Sequence, residues 1–146
     1  MARRERQRPR KGEPFSVRLT LSTDQAVEDE ARRTRRSKSA VVEALAEEAA
    51  RTRRFPGLAF RGDDARRRPW IIGSGLDVWE AVQMLEDLGS IEQLVEHTQL
   101  TEHQVRLAVA YRHAYPEEIA DAIADNRRPA EAWRELYPVV HFAASP

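Results

Sequence analysis

One short segment constrains this chain more than any other: Phe15-Ser16-Val17-Arg18-Leu19-Thr20-Leu21 alternates apolar and polar residues without a break. Period two is the signature of a strand with one buried face, and this is the only convincing strand in the sequence. A lone strand leaves backbone donors unpaired beside an apolar face, so a second copy of the chain is its expected partner. Antiparallel pairing across a two-fold axis turns Val17, Leu19 and Leu21 toward the helices and Ser16, Arg18 and Thr20 outward. A two-stranded ribbon of this kind fits the DNA major groove, where Arg meets guanine bidentately and hydroxyls meet several bases.

Two helices are expected next. Ser22-Thr23-Asp24-Gln25 forms a capping box, Ser at N-cap and Gln three residues on, opening a helix that buries Ala26, Val27 and Ala31. Ser37-Lys38-Ser39 then caps a second helix with Val41, Val42, Leu45, Ala46 and Ala49 at helical spacing. The expected dimer core is Val17, Leu19, Leu21, Val41, Val42 and Leu45. Residues 1–14, rich in Arg, Lys, Gln, Pro and Gly, cannot bury a core and are expected to form a disordered basic arm.

Formal net charge is zero over 146 residues, yet the charges are segregated. Residues 1–68 carry 19 Lys and Arg against 11 Asp and Glu, a balance of +8; residues 69–146 carry 5 against 13, a balance of −8. A basic half attracts phosphate, and an acidic half suits protein contact. With no Cys, neither disulfides nor thiolate metal sites are available. No apolar run approaches a membrane span and no signal peptide is evident, so a cytoplasmic protein without membrane association is expected.

A Pro, Gly and Arg-rich stretch, residues 55–68, is expected to link the module at 15–54 to a helical domain at 69–126, followed by a helix and tail at 127–146. Trp70-Ile71-Ile72-Gly73-Ser74-Gly75-Leu76 suggests a tight hairpin. Val78, Val82, Leu85 and Leu88 mark a helix. Capping boxes at Ser90 and Thr101, with Gln93 and Gln104, open two more, and Pro116 suits a first helical position. Two capped helices about eleven residues apart suggest a helix-turn-helix. The fold class is therefore mainly α with a short hairpin.

Residues 15–54 resemble the ribbon-helix-helix family of small bacterial repressors and antitoxins. The resemblance rests on Ser16-Val17-Arg18-Leu19, Glu30-Ala31-Arg32-Arg33-Thr34 and Arg36-Ser37-Lys38-Ser39-Ala40-Val41-Val42. It implies that Ser16, Arg18 and Thr20 read bases, while Ser37, Lys38 and Ser39 hold phosphate through hydroxyls, charge and backbone N–H groups. Arg35 stands where that family usually has Gly, and Thr23 where it has an apolar residue. Residues 69–111 resemble small helix-turn-helix-like domains of antitoxins encoded beside PIN-like nuclease toxins. Trp70-Ile71-Ile72-Gly73-Ser74-Gly75-Leu76-Asp77-Val78-Trp79, Gly89-Ser90-Ile91-Glu92-Gln93-Leu94 and Leu100-Thr101-Glu102-His103-Gln104-Val105 carry the resemblance. Gly75 stands where that family often has Arg, and Glu102, His103 and Arg106 on the would-be recognition helix favour an interaction role over base reading.

Trp70 and Trp79 at helical spacing are expected in the core. Trp133, Tyr137, Val139, Val140 and Phe142 lie beyond both resemblances and are candidates for docking into a toxin cleft. The histidines, His97, His103, His113 and His141, share no metal-ligand spacing, and no nucleophile elbow, phosphate loop or paired-carboxylate motif is present. No metal, cofactor or catalytic residue is expected. The expected partners are an operator palindrome in double-stranded DNA, a second copy of the chain or a higher even oligomer, and a cognate toxin. The alternatives are a plain dimeric regulator without a toxin, and an interaction adaptor without DNA.

Overall fold

The computed structural model describes residues 11–63 and 67–129. They form six helices and one two-stranded antiparallel sheet, so the chain is mainly helical. Two compact units divide it, Met1–Val42 and Glu43–Pro146.

In the first unit, helix α1 spans Leu21–Thr34 and helix α2 begins at Lys38, running to Arg54 across the division. Residues 11–20 carry no regular element, so the expected strand at 15–21 is not formed in the isolated chain. The physical reason is the one its sequence raises: among the described residues no strand pairs with it to offer a ladder. Leu21 instead joins α1, and the N-cap is Thr20 rather than Ser22. Thr20 is extended at φ −64°, ψ 155°, and its Oγ1 accepts the Thr23 N–H at 3.4 Å. Val27 is buried and Ala31 half-buried in α1, while Ala26 is exposed, contrary to expectation.

Helix α1 ends on Arg35, left-handed at φ 53°, ψ 37°. Arg36 N–H reaches Ala31 O at 3.0 Å and Arg35 N–H reaches Arg32 O at 3.4 Å, the paired bonds of a Schellman cap. Helix α2 opens under Ser37, whose Oγ accepts the Ala40 N–H at 3.1 Å. Of the apolar face expected on α2, Val41 is buried and Val42 half-buried; Leu45, Ala46 and Ala49 are exposed.

The second unit takes in most of the stretch expected as a linker. Phe55 and Leu58 are core residues, and Leu58–Arg61 is strand β1. Two apolar residues within a Pro, Gly and Arg-rich run were enough to anchor it. Gly57, at φ 105°, sits so close to Leu107 that an added Cβ would meet its Cδ2 at 2.9 Å. Strand β2, Arg68–Ile71, pairs with β1 in the register Leu58↔Ile71, Ala59↔Trp70, Phe60↔Pro69 and Arg61↔Arg68. The hairpin is thus β1–β2, one element earlier than the glycine pattern suggested. The Gly73-Ser74-Gly75 turn still reverses the chain: Ile71 N–H bonds Leu76 O at 2.9 Å, and Trp70 makes an isolated bridge to Asp77.

Helices α3 (Val78–Leu88), α4 (Ile91–His97), α5 (Glu102–Ala114) and α6 (Pro116–Asn126) follow. The expected caps are present. Ser90 Oγ accepts the Gln93 N–H at 3.2 Å, Thr101 Oγ1 accepts the Gln104 N–H at 3.2 Å, and Pro116 opens α6. Ile71, Val78, Val82, Leu94, Val105, Tyr111 and Ile119 form the centre of one core against which Trp79 packs; Trp70 is half-buried. Among the described residues no helix is long and apolar enough to cross a membrane.

Candidate nucleic-acid interface

The charge segregation follows the structural division. Met1–Val42 holds 12 Lys and Arg against 6 Asp and Glu, a balance of +6, leaving 12 against 18, a balance of −6, in the rest. The first unit therefore carries the excess of positive charge.

Within that unit Ser16, Arg18 and Thr20 are all exposed. So are Phe15 at 88%, Val17 at 60% and Leu21 at 91%, while Leu19 is half-buried. Apart from Leu19, the apolar members of the alternating segment thus face solvent alongside the polar ones. Thr20 is already engaged: besides capping α1, its hydroxyl lies 2.9 Å from Thr23 Oγ1 and 3.3 Å from Ser22 Oγ. Ser16 and Arg18 carry no such local role in the sequence of α1 caps.

Ser37, Lys38 and Ser39 come together at the start of α2, all exposed. Lys38 is held by α1: its ammonium lies 2.5 Å from Asp24 and 3.3 Å from Glu28. The hydrogen bond to Asp24 is the main cause that holds Lys38 above its ordinary pKa. The ammonium thus stays charged, and two carboxylates offset its field, a feature not visible from the Ser-Lys-Ser run alone. Arg36 donates to Ala40 O at 3.1 Å, fastening the connection between the helices. Trp133, Tyr137, Val139, Val140 and Phe142 lie outside the described residues.

The second unit holds two charged clusters that sequence reasoning missed. Asp77, 3% exposed and at the N-cap of α3, receives Arg61 Nε at 2.8 Å, Arg68 Nε at 2.9 Å and the Trp79 indole N–H at 3.3 Å. Its own N–H donates to Glu80 Oε2 at 2.7 Å. One carboxylate therefore ties both strands of the hairpin to α3. The other cluster joins α2, α5 and α6: Arg51 donates to Tyr111 Oη at 2.7 Å and Glu118 Oε2 at 2.6 Å, and Tyr111 donates to Glu118 Oε1 at 2.9 Å. The Arg51 guanidinium also stacks 3.9 Å over the Tyr115 ring. Burial opposes the charge on Arg51, but the Glu118 bond overrides it and raises its pKa; burial, with Glu118 nearby, pushes Tyr111 well above the usual tyrosine value. Both clusters tie elements of this unit together. Among the described residues no group of three or more His, Asp or Glu is placed to hold a metal ion.

No family model, curated protein or solved structure matches the chain. Its function rests on the residues themselves.

Proposed function

We propose that the chain is a dimeric DNA-binding repressor acting as the antitoxin of a type II toxin-antitoxin pair. One observation carries this: a basic unit that leaves Phe15 and Val17 uncovered on a segment without a strand partner among the described residues, and Leu21 uncovered at the start of α1, directly before and within two capped helices. Apolar side chains on an unpaired backbone are what a second copy of the same segment would cover, through a ribbon of main-chain hydrogen bonds. Exposed Leu45 on α2 joins the same dimer core with Val41 and Val42.

In the ribbon, Leu21 leaves α1 and Thr20 gives up its cap. Ser22 then takes over as N-cap with Gln25 three residues on, so dimerisation shifts the start of α1 by two residues and frees the Thr20 hydroxyl. Ser16, Arg18 and Thr20 face the bases, and the α2 start holds phosphate through Ser37, Ser39 and Lys38, the last exchanging Asp24 and Glu28 for the DNA backbone. Helices α4 and α5 form a helix-turn-helix-like pair. Glu102 in the first turn of α5, paired with Arg106 at 2.6 Å, repels phosphate, which suits this acidic unit to protein contact. Toxin binding is assigned to the acidic half, with Trp133 and residues 137–142 as anchors.

A shift assay on the chain's own promoter, with and without the product of the neighbouring gene, tests the reading. Specific retardation that weakens steeply with salt is expected. Equal, salt-insensitive affinity for operator and random DNA would refute it.

A further inference from the structure

A groove of about 460 Å³ opens along α6, lined by Pro116, Ile119, Ala120, Ile123, Ala124 and Arg127. The ion pairs Arg112–Glu86 at 2.8 Å and Arg127–Asp87 at 2.6 Å edge it. Ile119 and Ile123 supply an apolar floor, while exposed Ala120 and Ala124, one turn apart, keep that floor low enough to take a large side chain. Nothing among the described residues covers it.

We infer that residues 130–146 of the same chain dock in this groove, with Trp133 as the anchor. The described chain stops at Pro129, two residues after Arg127, itself part of the groove wall. Four further residues span up to about 13 Å when extended. The groove face of α6, from Pro116 to Arg127, is about 16 Å long, so Trp133 reaches its middle. Trp133, Leu136 and Tyr137 fall at i, i+3 and i+4, the spacing by which an amphipathic segment fills a groove. So short a tether gives the segment an effective concentration that a second copy or a free partner does not match at ordinary protein levels. The contact involves neither DNA nor a toxin, and its test is independent of the reading above. Where both hold, a toxin that takes Trp133 must first draw it out of the groove.

Hydrogen–deuterium exchange of the full chain, at low and high protein concentration, decides the matter. Slow exchange over residues 131–137, equal at both concentrations, is expected. Ala120→Glu and Ala124→Glu change exposed residues only, and each should abolish that protection while α3 and α5 keep theirs. Fast exchange in the wild type, or protection that survives both substitutions, overturns the inference. Protection that grows with concentration overturns it too, by assigning the groove to a second copy. Should either Glu variant disturb α3, Trp133→Ala gives the same test from the tail: faster exchange in α6 is expected, and unchanged α6 exchange counts against docking.

Discussion

Replacing Asp77 by Ala removes the one buried carboxylate that joins the hairpin to α3. Its two guanidinium partners are themselves 39% and 53% exposed, so solvent compensates much of their loss, and each ion pair is worth at most about 1 kcal/mol. Stranding the Trp79 indole N–H adds about 1 kcal/mol, and loss of a negative charge at the α3 N-terminus about 0.5 kcal/mol. Together these give a destabilisation of about 2–3 kcal/mol. For a unit of this size that lowers the melting temperature by very roughly 10–20 °C. Asp77→Asn keeps the shape and one acceptor, and should lose about half as much. Thermal unfolding followed by circular dichroism, with calorimetry to isolate the second unit's transition, measures both. A shift of no more than a degree or two for Asp77→Ala would mean that the hairpin is held by Leu58 and Ile71 alone and that the Asp77 cluster is ornamental.

Arg35→Gly relieves a left-handed Arg at the end of α1 and should raise the first unit's stability by about 1 kcal/mol in urea unfolding; a loss would show the Schellman turn is not strained. Tyr111, whose pKa is raised by burial beside Glu118, contributes stability fully present below the ordinary tyrosine value of about 10, lost as pH rises through the higher folded value. Stability of wild type should therefore fall above about pH 10, and Tyr111→Phe should flatten that alkaline slope; identical slopes would contradict the assignment. Arg18→Ala should cost about 1–3 kcal/mol in operator preference over random DNA, whereas Lys38→Ala should weaken both equally, as fluorescence anisotropy distinguishes.

Local signals in the sequence carried well into the structure wherever one short segment decides the outcome. Ser90 and Thr101 cap their helices with Gln93 and Gln104 because a hydroxyl three residues before a free N–H needs no distant help. Pro116 starts α6 for the same kind of reason. Arg35, noted as a departure from glycine, is the one non-glycine residue with positive φ among the described residues. What the sequence hid depends on tertiary context. Phe55 and Leu58 sit in a run whose Pro, Gly and Arg content reads as a linker, yet two apolar side chains with a core to enter outweigh composition. Arg51, Tyr111 and Glu118 are separated by up to 67 residues, and no local pattern marks them as partners. Asp77 was not singled out in the sequence, either as the N-cap of α3 or as the meeting point of Arg61 and Arg68. At the candidate interface Ser16, Arg18, Ser37 and Ser39 are exposed, while the engagement of Thr20 by α1 and of Lys38 by Asp24 and Glu28 emerges only from the folded chain.

The pairing of residues 15–21 with their twin is tested most directly by Val17→Glu. Val17 is 60% exposed in the single chain, so the substitution costs the isolated fold little, yet it puts a charge into the dimer core. Sedimentation velocity, with operator binding measured on the same samples, should show a wild-type dimer that binds and a folded Val17→Glu monomer that does not. A variant that remains dimeric and binds its operator as wild type does would contradict the ribbon and the regulatory function built on it.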